Sequence, residues 1–181
     1  NDSYRGESDS KNFKNYQGAY ERGTIMKIKK VAVSNKRKHI EIEVGEKTYT
    51  LPFSKLRLKP TVSNKISEIY VDKELAEKAI TYTLANGKGD SIPLDAFLDY
   101  NKDPNYLRDM LLHRLTIEAL KWVKASGLSK NELIRRLHTS PSQLYRLLDS
   151  SNYKKSVDEM LRLLAVLGCD VELSVTHDAV A

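Results

Sequence analysis

One cysteine, Cys169, stands in 181 residues. A lone thiol cannot form an internal disulfide, which excludes a cross-linked secreted scaffold and suits a reducing cytosol. Nor can it build a structural zinc site, and His39, His113, His138 and His177 show no ligand spacing. Long apolar runs are missing too. None approaches the ~18 residues that cross a bilayer, and no secretory signal stands before the first strand-like segment, so no membrane partner is expected. Acidic charge is in deficit. Against 30 Lys and Arg stand 24 Asp and Glu, leaving +6 at pH 7 and a sequence pI near 9.2, a balance that favours an anionic partner without naming one. Catalytic arrangements are also absent. Gly87-Lys88-Gly89-Asp90-Ser91 lacks the spacing of a phosphate loop, and nothing in the sequence gathers Ser, His and Asp. The expectation is a protein that is not an enzyme, with no catalytic residues, metal or cofactor.

What is present falls into two periods. Residues 1–23 are polar and without a sustained period, which predicts a flexible tail, with docking of its Tyr4, Phe13, Tyr16 and Tyr20 elsewhere as the alternative. From Met26 the period is two. Ile28 to Val33, then Ile40, Ile42 and Val44 alternating with Glu41 and Glu43, then Tyr49 and Leu51 predict an antiparallel meander. Pro52 and Pro60 bound an irregular connection or a single helical turn. Ile66, Ile69 and Val71 suggest another strand, and the runs Ala79–Leu84 and Ser91–Leu94 flank an Asn-Gly hairpin loop. Residues 24–102 therefore read as a small β-rich domain of five or six strands. Basic residues concentrate in it, and Lys36-Arg37-Lys38 falls at a hairpin tip, a solvated face or a phosphate-contacting patch.

Asp103 and Pro104 announce a long helix to about Ser126, stopped by Gly127. Its apolar stripe is expected to run through Leu107, Leu111, Leu115, Ala119, Trp122 and Val123, widened by Met110, Ile117 and Leu120. Three capping-box signatures follow: Ser129 with Glu132, Ser140 with Gln143, and Ser156 with Glu159. Pro141 fits the first helical position. The first two boxes leave room only for a turn at His138, Thr139 and Ser140, so they predict a helix-turn-helix whose second helix enters the major groove of DNA. The third starts a last helix ending at Gly168. Val171, Leu173 and Val175 then alternate as a terminal strand, paired within the chain or, by preference, across a two-fold dimer. The fold class expected is α+β: a small antiparallel β-rich domain, an all-helical helix-turn-helix domain over 103–176 with its C-terminal strand, and a tail at 177–181.

Leu128-Ser129-Lys130, Glu132-Leu133-Ile134, Leu137-His138 and Ser140-Pro141-Ser142-Gln143-Leu144 carry a resemblance. Residues 115–168 resemble the helix-turn-helix of Cro and lambda-repressor type regulators, the XRE family. The layout over 26–175 is similar to bacterial regulators and antitoxins with an N-terminal domain of unknown function. The chain departs from the pattern at Lys130 (usually Gln), Ile134 (usually small) and His138 (commonly Gly).

A groove-lying helix would turn Ser142, Gln143 and Arg146 to base edges, where Gln pairs with adenine, Arg with guanine and Ser with either. Lys130, Thr139, Ser140, Tyr145, Asn152, Tyr153, Lys154 and Lys155 would meet phosphates. The function expected is a sequence-specific, dimeric repressor that binds double-stranded DNA at a palindromic operator, cytoplasmic and associated with the nucleoid. Two alternatives stay open: an antitoxin that neutralises a toxin protein and represses its own operon, and a protein-interaction module without DNA.

Overall fold

Alternation of β-branched and charged side chains builds the first half of the computed structural model, which describes residues 26–176. The expectations for the two tails, the four tail aromatics and His177 lie outside those residues. Strands β1 (Ile28–Ser34), β2 (His39–Val44) and β3 (Lys47–Pro52) form one antiparallel sheet in that order. Ile40, Ile42 and Val44 are buried, and the intervening glutamates face outward. A second three-stranded sheet holds β4 (Ile66–Val71), β5 (Ala79–Leu84) and β6 (Gly89–Pro93). The expected antiparallel meander is the first sheet, and the later strands form a second sheet of their own.

The two sheets follow one plan. Ile28 lies opposite Val44 in the first and Ile66 opposite Leu84 in the second, each with a register shift just beyond. Ile40 opposes Leu51 as Ile80 opposes Ile92. Each third strand ends in a proline, and a helical element follows: a 3₁₀ turn at Phe53–Lys55, and α1 (Leu94–Tyr100). Proline sets the extended backbone before each helical start and closes the ladder, because it has no N–H to donate. Helix α1 replaces the end of the expected Ser91–Leu94 strand. Leu94, Phe97 and Leu98, spaced as one helical face, are buried.

Helices α2 (Pro104–Ala125), α3 (Lys130–Leu137), α4 (Pro141–Leu148) and α5 (Val157–Val166) make up the rest. The chain divides into compact units at Arg108/Asp109, inside α2 and not before it at 102/103. The first turn of α2 belongs with the β unit because Asp103 anchors it there. The buried Asp103 carboxylate caps the N–H groups of Asn105 and Tyr106, each at 3.1 Å, while accepting from the Tyr49 hydroxyl at 2.8 Å and the Lys47 ammonium at 3.0 Å. Burial pushes its pKa up, but these hydrogen bonds outweigh burial and hold it below the ordinary value.

In the helical unit Leu112, Ala119, Leu133, Leu144, Leu147, Met160, Leu163 and Leu164 form one buried core. The stripe of α2 is rotated from the one expected: Leu112, His113, Thr116 and Ala119 are buried, whereas Leu107, Leu111, Ile117 and Trp122 are exposed. Polar residues on the inner face obscured it. The Thr116 hydroxyl donates to the Leu112 carbonyl, and His113 Nδ1 lies 3.1 Å from the Ser150 carbonyl, so both are satisfied inside. The terminal strand is not formed. Residues 171–176 have no regular structure, with Leu173 84% and Val175 85% exposed. The helical unit offers its described residues no strand to pair with, and an unpaired strand leaves its backbone groups to water.

Candidate nucleic-acid interface

Helices α3 and α4 are joined by a three-residue turn, and local chemistry fixes both ends of it. Ser129 starts α3 by accepting from the Glu132 N–H at 3.1 Å. His138 ends it in the left-handed region, φ 49° and ψ 47°, so the geometry usually given to glycine is kept with a β-carbon present. Thr139 N–H closes the turn on the Ile134 carbonyl at 3.1 Å. Ser140 then caps α4, accepting from Gln143 N–H at 3.3 Å, with Pro141 in the first helical turn. Of the three expected boxes only the last closes in both directions. Ser156 accepts from Glu159 N–H at 3.1 Å, and the Glu159 carboxylate accepts from Ser156 N–H at 2.7 Å.

In the first two boxes the acidic or amide side chain is drawn elsewhere. The Glu132 carboxylate takes hydrogen bonds from Arg135 (2.7 and 2.9 Å) and Arg136 (2.6 Å). The pair of guanidinium groups lowers its pKa to about 2. Gln143 Oε1 accepts from Arg146 Nε at 2.7 Å.

The face of α4 opposite the buried Leu144 and Leu147 carries Ser142, Gln143 and Tyr145, all exposed. The Ser142 hydroxyl lies 3.0 Å from that of Ser140. Tyr145 is covered on one face by Lys130, whose ammonium sits 4.7 Å from the ring centroid. This contact joins the first residue of α3 to the middle of α4, so the Lys130 departure brings its own tie between the two helices.

Two expected contacts are used inside the protein. Arg146 is a correction: its guanidinium donates to Gln143 Oε1, to the Lys154 carbonyl at 3.1 Å, and to the Glu159 carboxylate. With three partners it is a strut between α4 and the start of α5, not a free base-reading fork. Lys155 is the second correction. It is 4% exposed, and its ammonium donates to the Leu147 carbonyl at 2.8 Å and the Asp149 carbonyl at 2.7 Å. It satisfies the C-terminal carbonyls of α4. Burial lowers its pKa to about 8, with nearby Asp149 opposing.

The other expected phosphate contacts divide. Lys154 is exposed and Thr139 half-buried. Asn152 shapes the loop, its side-chain oxygen accepting from Lys154 N–H at 2.9 Å. Tyr153 packs its ring against the helical core. No local pattern announced Arg146 or Lys155, because Glu159 lies 13 residues away and the receiving carbonyls are backbone atoms. Among the described residues no group of three His, Cys, Asp or Glu side chains gathers as a metal would require, and no helix is long and apolar enough to cross a membrane. Comparison with family models, curated proteins and solved structures returns no match.

Proposed function

We propose that this protein is a double-stranded DNA-binding transcriptional regulator that uses α3 and α4 as an XRE-like helix-turn-helix. The observation that carries this is the first turn of α4. Exposed Ser142 and Gln143 stand on a short helix whose opposite face is locked into the core, directly after a three-residue turn. Such a helix presents its N-terminal side chains to base edges, and its capped start suits the approach of phosphate.

In this reading Arg146 positions Gln143. Because the guanidinium holds Oε1, the carboxamide nitrogen is the group turned outward, and it donates to base acceptors. Lys130, Tyr145 and Lys154 meet phosphates, and Arg146 and Lys155 hold α4 and the following loop in shape. The exposed Val171, Leu173 and Val175 are the surface on which a second copy pairs, giving the two-fold dimer that a palindromic operator requires.

Titration of the full chain against duplexes enriched from a random pool tests the assignment. Gln143→Ala is expected to cost about 1–3 kcal/mol of discrimination at one base position. Lys154→Ala is expected to weaken all duplexes alike and lower the salt slope by about 1. Unchanged affinity and preference in both variants rejects the docking. A second reading, a protein-interaction module without DNA, draws on the exposed Leu111, Ile117 and Trp122 of α2. It predicts no shift of any duplex.

A further inference from the structure

The two sheets share a plan, but the loops between their first and second strands differ in charge. In the second sheet this loop holds Asp72, Glu74 and Glu77 along with Lys73 and Lys78, and two of its three acids are engaged. The Asp72 carboxylate accepts from the N–H groups of Glu74 and Leu75 at 3.0 and 3.1 Å and from the Thr81 hydroxyl at 2.7 Å, and Glu77 pairs with Lys27 at 2.7 Å. In the first sheet the corresponding loop is Asn35-Lys36-Arg37-Lys38, wholly exposed. None of its three cations has a carboxylate within 4.0 Å among the described residues. The nearest acid along β2, Glu41, faces His39 at 3.7 Å. The same position in the repeated plan is therefore filled once by a loop of mixed charge with two engaged acids and once by three unpaired bases, so the fold itself does not demand the basic triplet.

The turn holding those cations is built. Lys38 adopts φ 54°, its carbonyl accepts from Phe53 N–H at 2.8 Å, and Arg37 N–H donates to the Ser34 hydroxyl at 3.3 Å. Three like charges on a fixed turn repel one another unless an anion sits between them. The turn itself holds no apolar side chain to enter a lipid layer. We propose that Lys36, Arg37 and Lys38 form a second, sequence-independent contact with the phosphodiester backbone of duplex DNA, carried by the β unit. The inference takes its partner from the reading above, but rests on residues that α3 and α4 do not include.

The test uses the full chain and a 30-base-pair duplex of random sequence, followed by fluorescence anisotropy across a salt series. The variant K36Q/R37Q/K38N removes the charge and keeps at position 38 a residue that tolerates a left-handed turn. The expected result is binding about a hundredfold weaker near 0.1 M salt and a log–log salt slope reduced by about 2 to 3, with K36R/K38R like the parent. An unchanged slope, or a loss confined to binding of phosphatidylserine vesicles, overturns the proposal. In parallel, S142A/Q143A separates the two ideas. If it abolishes sequence preference while the triple variant binds normally, the hairpin assignment fails and the α4 reading stands. If only the triple variant weakens binding, the α4 reading fails and the hairpin contact stands. A parent chain that binds no duplex overturns both.

Discussion

The β unit and the helical unit use their charges in opposite ways. Residues 24–108 hold 16 Lys and Arg against 11 Asp and Glu, a net of +5, whereas residues 109–181 hold 10 against 9, a net of +1. In the helical unit Arg135 and Arg136 are tied to Glu132, Arg146 to Glu159, Arg162 to Asp158, and Lys155 to backbone carbonyls. The unit proposed to read bases therefore has little long-range attraction of its own. The unit with no base-reading helix carries most of the positive field. Long-range attraction sets encounter and non-specific binding, while a few placed side chains set preference, so one protein can assign these tasks to separate regions.

The sharpest way to break the comparison is to unfold one unit. Leu144 is fully buried in the helical core, and Leu144→Ala is expected to cost that unit about 2–5 kcal/mol. Trp122, the only tryptophan, lies on α2 within the helical unit, so its fluorescence follows that unit alone. The expected outcome is an earlier fluorescence transition with β-unit amides still protected from hydrogen exchange. Simultaneous loss of both signals means that the units fold as one.

Lys155 comes next. Lys155→Met strands the Leu147 and Asp149 carbonyls, and denaturant unfolding is expected to show a loss of about 1–3 kcal/mol. The pH dependence is distinctive. With a folded pKa of about 8 against 10.5 unfolded, the unfolded chain binds more protons between those values, so this group makes stability rise with pH across that window. The parent-minus-variant difference should therefore grow from pH 8 to 10.5. A flat difference rejects a perturbed, buried amine.

Much of the layout could be read from the residues, for reasons that differ between the units. Strands β1 to β5 follow period-two alternation, and α2 to α5 follow caps whose chemistry is local: Asp103, Ser129, Ser140 and Ser156. The twofold plan of the β unit was written as Ile40-x-Ile42-x-Val44 before Leu51-Pro52 and Ile80-x-Tyr82-x-Leu84 before Ile92-Pro93. No shared residue string marks it, because side-chain identities changed while only register was kept. Buried His113 and Thr116 hid the inner face of α2, since their polarity is satisfied by contacts that no periodicity reveals. The terminal alternation at Val171, Leu173 and Val175 is the reverse case, finding no partner strand among the described residues of the single chain. A pattern states which face is apolar and not whether a neighbouring strand exists. At the proposed interface exposed Ser142 and Gln143 followed from helix phase, but Arg146 and Lys155 did not, because partners brought together by folding decide whether a cation faces solvent.

His138 offers a smaller change. At φ 49° its β-carbon crowds the backbone, a strain of about 1 kcal/mol that glycine relieves at some cost in unfolded-chain entropy. His138→Gly is expected to raise the helical unit's stability by up to about 1 kcal/mol, read from the Trp122 transition, with the β unit unchanged. A loss of stability means that the imidazole contributes more than the turn costs.

The smallest effect lies in the β unit and runs opposite to Lys155. Asp95 stands in the first turn of α1, and burial raises its pKa to about 6, with Lys78 pulling the other way. Between about 3.8 and 6 the folded chain holds the proton more tightly than the unfolded one. The group therefore stabilises the β unit at low pH, and this contribution is lost as pH rises through 6. Asp95→Asn removes the titration. At pH 7 it relieves a buried charge but gives up the attraction of a carboxylate to a helix N-terminus, worth about 0.3–1 kcal/mol, so a net gain of about 1 kcal/mol or less is expected. The decisive reading is the difference between variant and parent at two pH values, followed by hydrogen exchange at β5 amides. A gain at pH 7 that vanishes by pH 4 places the cost on the buried carboxylate. Equal differences at both pH values assign it to packing, and the opposed pH responses of the two units would then reduce to Lys155 alone.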